Sequence, residues 1–157
     1  MVEFSPETMN KFQETVAKYP EKEAALLPTL WLAQEEFGWL SNDVMQYIAK
    51  ILDIPPSKVF SVASFYTMYK KEPTGKYLVQ ICRTLSCKLR GAEEVSECIT
   101  KKLGIGLEET TPDNKFTVIE VECLGSCGSA PMMQINNDYY ENLTSRKKIN
   151  EIIDSLP

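Results

Sequence analysis

Histidine is absent from all 157 residues. That removes His-containing zinc sites, Ser-His and Cys-His catalytic pairs, and haem held by an imidazole. Any transition-metal site must then be built mainly from thiolates. Positive charge is also short: 17 Lys and Arg stand against 22 Asp and Glu, a net charge of −5. A nucleic-acid binder needs a basic face to neutralise phosphates, so that class is set aside. No apolar run in the sequence approaches the ~20 residues of a membrane span. The opening MVEFSPETMNKF has neither an apolar signal core nor Arg-rich amphipathic character. The expectation is an intracellular chain without an export or transit peptide.

What the chain does have is five cysteines, Cys82, Cys87, Cys98, Cys123 and Cys127. In an intracellular protein these read as metal ligands or redox groups before they read as a disulfide frame. An apolar fraction of 43% and a charged fraction of 25% describe an ordinary globular chain, of one domain or two small ones.

Two regions differ in hydrophobic period. Residues 1–72 read as a helical bundle. SPETMNKFQETVAKY has Ser5 as an N-cap and Pro6 at the first helical position, and Pro20 ends it. EKEAALLPTLWLAQEEFGWL places Ala25, Leu27, Leu30, Leu32, Ala33 and Phe37 near helical spacing, with Pro28 expected to kink it. SNDVMQYIAKILDI and PPSKVFSVASFYTMYK complete four helices. For the aromatic cluster Phe60, Phe65, Tyr66 and Tyr69, core packing is preferred over a partner surface.

From Pro73 and Gly75 the period changes to that of strands, and residues 73–157 read as a second domain. KYLVQIC and KFTVIEVEC are strands, and CKLRGAEEVSECITKKLG between them is a helix with the stripe Leu89, Ala92, Val95, Ile99, Leu103, closed by Gly104. PMMQIN and YYENL form a hairpin turning at Asn137-Asp138, and TSRKKINEIIDSL is a last helix capped by Thr144 or Ser145. The expected fold class is α+β or α/β, with the order β-α-β-β-α of a thioredoxin-like sheet after the bundle.

The cysteines fall at telling places. Cys82 ends the first strand and Cys87 opens the next helix, while Cys123 ends the second long strand and Cys127 lies in the loop after it. If βαβ connectivity makes the strands parallel neighbours, both pairs emerge at one rim of the sheet. Cys98 is eleven residues beyond Cys87 on one helix, roughly 16 Å away at about 1.5 Å rise per residue, and reads as a packing residue. Zinc and an iron–sulfur centre both suit C-x4-C with C-x3-C, and spacing alone leaves the two near even. The loop LGSCGSAP tilts the choice toward [2Fe-2S], because Gly125, Ser126, Gly128, Ser129 and Ala130 let the main chain wrap closely around a larger anionic body. The helix near Cys87 is expected to aim its N-terminal dipole at that body. Arg83 and Lys88 offer positive field, with solvation as their main role. A thiol–disulfide enzyme would use C-x-x-C, and none occurs.

CRTLSCKLRG, VECLGSCGSAPMMQIN and NDYYENLT, with WLAQEEFGWLS and VFSVASFYTMY upstream, closely resemble the 24-kDa-type subunits of NADH:quinone oxidoreductase, respiratory complex I. The likeness spans nearly the whole chain. It implies that Cys82, Cys87, Cys123 and Cys127 ligate one [2Fe-2S] cluster, with Ser126 where a residue such as alanine is expected. It also implies a partner, the flavin-carrying subunit on which NADH reduces FMN, and no complete active site on this chain. The sequence agrees in having no Rossmann glycine fingerprint. The implied location is cytoplasmic and peripheral to the membrane within a larger complex. The same module occurs in NAD-linked hydrogenases and formate dehydrogenases, and a stand-alone thioredoxin-like ferredoxin would share the cysteines but not the first 70 or so residues.

Overall fold

Ser5 begins the first regular element in the computed structural model, which describes residues 2–157. Its Oγ accepts the Thr8 N–H, and Pro6 sits in the first turn of α1 (Pro6–Val16), where an N–H would have no helical partner. A single 3-10 turn over Lys22–Ala25 runs directly into α2 (Leu26–Phe37). Pro28 therefore lies in the first turn of α2 and interrupts nothing, contrary to the expected kink. The buried stripe shifts with this start: Leu26 and Leu30 are buried, and Leu27 is exposed.

Ser41 caps α3 (Asn42–Leu52) by accepting the Val44 N–H at 3.2 Å. The helix ends at Asp53, whose left-handed φ of 57° precedes the Pro55–Pro56 pair that opens α4 (Pro56–Phe65). Leu30, Leu40, Ile48, Leu52, Val59 and Tyr69 fill the core among these helices. Each large aliphatic side chain buried there contributes roughly 1.5–3 kcal/mol. Gln34 ties down the segment after α4, donating to the Met68 carbonyl at 3.0 Å and accepting the Lys70 N–H at 2.5 Å.

Core packing holds for only one of the four aromatics. Tyr69 is buried and donates to the Leu27 carbonyl at 2.8 Å, whereas Phe60, Phe65 and Tyr66 are 52%, 77% and 38% exposed. The inward stripe of α4 is Val59 and Ala63, which leaves Phe60 one residue off it, while the helix ends at Phe65 and Tyr66 turns to extended backbone.

The chain divides into two compact units, Met1–Pro73 and Thr74–Pro157. The second contains β1 (Tyr77–Cys82), α5 (Leu85–Leu89), α6 (Ala92–Leu103), β2 (Glu109–Thr110), β3 (Phe116–Val121), β4 (Met133–Ile135), β5 (Asp138–Tyr140) and α7 (Arg146–Ser155). The strands form one sheet in the order β2-β3-β1-β4-β5, with β1 and β3 parallel and the other pairs antiparallel. This is the expected α+β arrangement with a short edge strand, β2, added. The β4–β5 turn falls at Asn136–Asn137, one residue before the expected place, because Asn136 takes the left-handed φ of 53° that asparagine tolerates.

The expected single helix after β1 is two. Gly91, at φ 100°, separates α5 from α6, and a right-handed helix cannot pass through that conformation. The buried stripe consequently begins at Ala92 and continues through Val95 and Ile99, leaving Leu89 78% exposed. Cys98 is buried on α6, with its Sγ 3.7 Å from Asn150 Oδ1 of α7. Ser145 caps α7 through the Lys148 N–H. No helix among the described residues is long and apolar enough to cross a membrane.

Candidate metal centre

The parallel pairing of β1 and β3 sets the site. Cys82 stands opposite Val121, so the two strands end together, and the Arg83 N–H extends the ladder to the Val121 carbonyl at 3.0 Å. Cys82 closes β1, and Cys123 follows two residues after the end of β3. Cys87 lies in the middle of α5, and Cys127 opens a 3-10 turn over Cys127–Ser129.

These four thiols come together as two adjoining pairs. Cys123 Sγ is 3.6 Å from Cys127 Sγ, and Cys82 and Cys87 lie in one buried cluster with Ala92, Ala130 and Met132. Cys87 in turn feels the charges of both Cys82 and Cys127. Cys82 and Cys87 are buried, and Cys123 and Cys127 are exposed. Among the described residues, no three His, Cys, Asp or Glu side chains gather as a single ion requires.

Main-chain donors surround the sulfurs. The Gly125 N–H donates to Cys123 Sγ at 3.4 Å. Burial pushes the Cys82 thiol up, but backbone donors at Thr84 and Leu124, with Cys87 and the Thr84 hydroxyl, outweigh it and hold the thiol below its ordinary range. Cys87 moves the other way, up to about 11, first through burial and then through its bond to Cys82, against a backbone donor at Met132. Cys127 is held up by its hydrogen bond to Cys123, opposed by the Ser86 hydroxyl. Sulfurs this close resist joint ionisation until a cation joins them.

A [2Fe-2S] centre fits this donor set: four thiols, peptide N–H groups aimed at sulfur, and bare backbone beside them. At Gly125 a φ of 83° calls for glycine, but at Gly128 no positive φ applies and an added Cβ would meet nothing within 4 Å. The packing of this chain therefore does not explain why Gly128 carries no side chain. One expectation needs correcting: with only five residues and Cys87 at its centre, α5 does not present its N-terminus through that cysteine. Arg83 pairs with Glu122 at 2.7 Å and Lys88 with Glu93 at 3.2 Å, both at the exposed surface. Sequence reasoning also missed Thr84 and Ser86, whose hydroxyls act to lower the Cys82 and Cys127 thiols. Their position beside the C-x4-C cysteines was the available signal.

An open mixed sheet of this order, carrying cysteine pairs at one rim, defines the thioredoxin-like class of fold. The family model for thioredoxin-like [2Fe-2S] ferredoxin matches residues 12–157. The chain belongs to that family. It is 46% identical, over 98% of its length and 93% of the relative's, to an NADH-quinone oxidoreductase subunit of Rickettsia conorii. It is 43% identical to NADH-quinone oxidoreductase subunit 2 of Thermus thermophilus, covering 98% of this chain and 86% of that one. An NAD+-reducing [NiFe]-hydrogenase, solved in its air-oxidized state, shares the fold over 84% of this chain and 23% of that chain, with a TM-score of 0.70 at 21% identity.

Proposed function

We propose that this chain is the [2Fe-2S] electron-transfer subunit of an NADH-oxidising, quinone-reducing complex, with Cys82, Cys87, Cys123 and Cys127 as the cluster ligands. The observation that carries the reading is the convergence of two thiol pairs at the common end of parallel β1 and β3. When bound, the centre supplies a site that takes up and passes on one electron at a time. The chain's own residues seat it with one pair buried and the other at the surface, so that it is held firmly yet lies close to solvent or a partner. The donor partner is a subunit carrying FMN and binding NADH. Identities of 43% and above to NADH-quinone oxidoreductase subunits favour this complex over a hydrogenase. The exposed Phe60, Phe65 and Met68 suit a subunit that docks rather than a free carrier.

The test is reduction by NADH. Added to the chain co-purified with its flavin subunit, NADH is expected to bleach the visible iron–sulfur absorption, whereas the chain alone is expected to stay coloured. Bleaching of the isolated chain, or none in the pair, would overturn the assignment.

A further inference from the structure

One stretch, Tyr139–Leu143, holds the cysteine loop in place. Tyr139 Oη donates to the Leu124 carbonyl at 2.6 Å. The Asn142 N–H donates to the Ser129 carbonyl at 2.7 Å, and the Leu143 N–H to the Pro131 carbonyl at 2.9 Å. Between these anchors, Glu141 Oε1 accepts hydrogen bonds from Ser126 Oγ and, at 2.5 Å, from Ser129 Oγ. Those hydroxyls, 2.7 Å apart, bracket Cys127 and Gly128. A single carboxylate oxygen thus gathers both ends of the turn that carries Cys127. Lys148 fixes the backbone beneath it, donating to the Glu141 carbonyl at 2.6 Å and the Asn142 carbonyl at 3.3 Å.

We infer that Glu141 is a positioning residue for the [2Fe-2S] centre, pinning the Cys127 turn through Ser126 and Ser129 and placing a fixed negative charge beside it. The inference rests on the cluster reading above. Hydrogen bonds from Ser126 and then Ser129 hold the carboxyl below its usual range, which keeps it an anion and an acceptor. Outer partners that orient ligands typically change metal retention by about 10–100-fold when removed. One-electron reduction adds negative charge to the centre, so a neighbouring carboxylate opposes it and holds the reduction potential down.

Two readouts on the cluster-loaded full chain separate these roles: the rate of cluster loss to a chelator, and the potential from a redox titration followed by electron paramagnetic resonance. Glu141→Ala is expected to lose the cluster about tenfold faster or more. Glu141→Gln keeps an oxygen acceptor without the charge, so near wild-type retention with a more positive potential is expected. The double variant Ser126→Ala/Ser129→Ala keeps the charge and removes both donors, and is expected to lose the cluster as fast as Glu141→Ala. A wild-type potential in Glu141→Gln, or wild-type retention in both Glu141→Ala and the double variant, would overturn the inference. Failure of the underlying reading shows elsewhere, as a wild-type chain that contains no iron.

Discussion

A buried phenol and a bare backbone position show how single residues act here. Burial raises the Tyr69 hydroxyl from its ordinary 10.0 to about 12, while that hydroxyl donates to the Leu27 carbonyl. A group whose folded-state pKa is raised adds stability that is fully present below the unfolded value. That stability disappears as pH rises through the folded one. The helical unit is therefore expected to lose stability between pH 10.0 and about 12, as followed by circular dichroism. Tyr69→Phe is expected to flatten that loss and lower neutral-pH stability by about 1 kcal/mol, because a carbonyl loses its partner. An unchanged alkaline profile in the variant would contradict this. The cysteines stand out as candidate ligands at this scale because their spacing and the missing histidines leave few chemistries open. Glu141 does not, since nothing in YYENL marks its carboxylate as reaching residues 126 and 129; that contact is made by the fold of β4 and β5.

Local breaks explain where elements departed from expectation. Most helices and long strands were legible, because Ser5 and Ser41 cap as their residue types dictate and the apolar periods are clear. The turn between α5 and α6 was not, because Arg90-Gly91 sits inside a stripe that continues on both sides. Gly91 and Gly128 make a paired test. Gly91→Ala forces a β-carbon onto a φ of 100° and is expected to destabilise the chain by about 1–2 kcal/mol in urea unfolding. Gly128→Ala meets no protein atom within 4 Å, so the cluster-free chain is expected to shift by less than about 0.5 kcal/mol. In the loaded chain, faster cluster loss from the same variant is the expected sign that Gly128 serves the cofactor. Equal destabilisation of the cluster-free chain by both variants would remove the argument that Gly128 serves the cofactor.

Across the whole molecule, all four proposed ligands lie in Thr74–Pro157, a unit with its own sheet and core, while Met1–Pro73 supplies the exposed aromatic surface. The change of hydrophobic period near Pro73 is what sets the expected boundary between residues 72 and 73. The exposure of Phe60 and Phe65 was not legible, because an aromatic residue at helical spacing has the same pattern whether it faces a core or a partner. Everything proposed for the chain depends on what the thiol pairs hold, and metal analysis of the full chain purified without oxygen addresses it directly. The account predicts iron and acid-labile sulfide in equal amounts, about two of each per chain. Both should be retained in Cys98→Ser and lost when Cys82 and Cys123 are changed together to alanine. Zinc without sulfide, or an iron content unaffected by the double change, would contradict it.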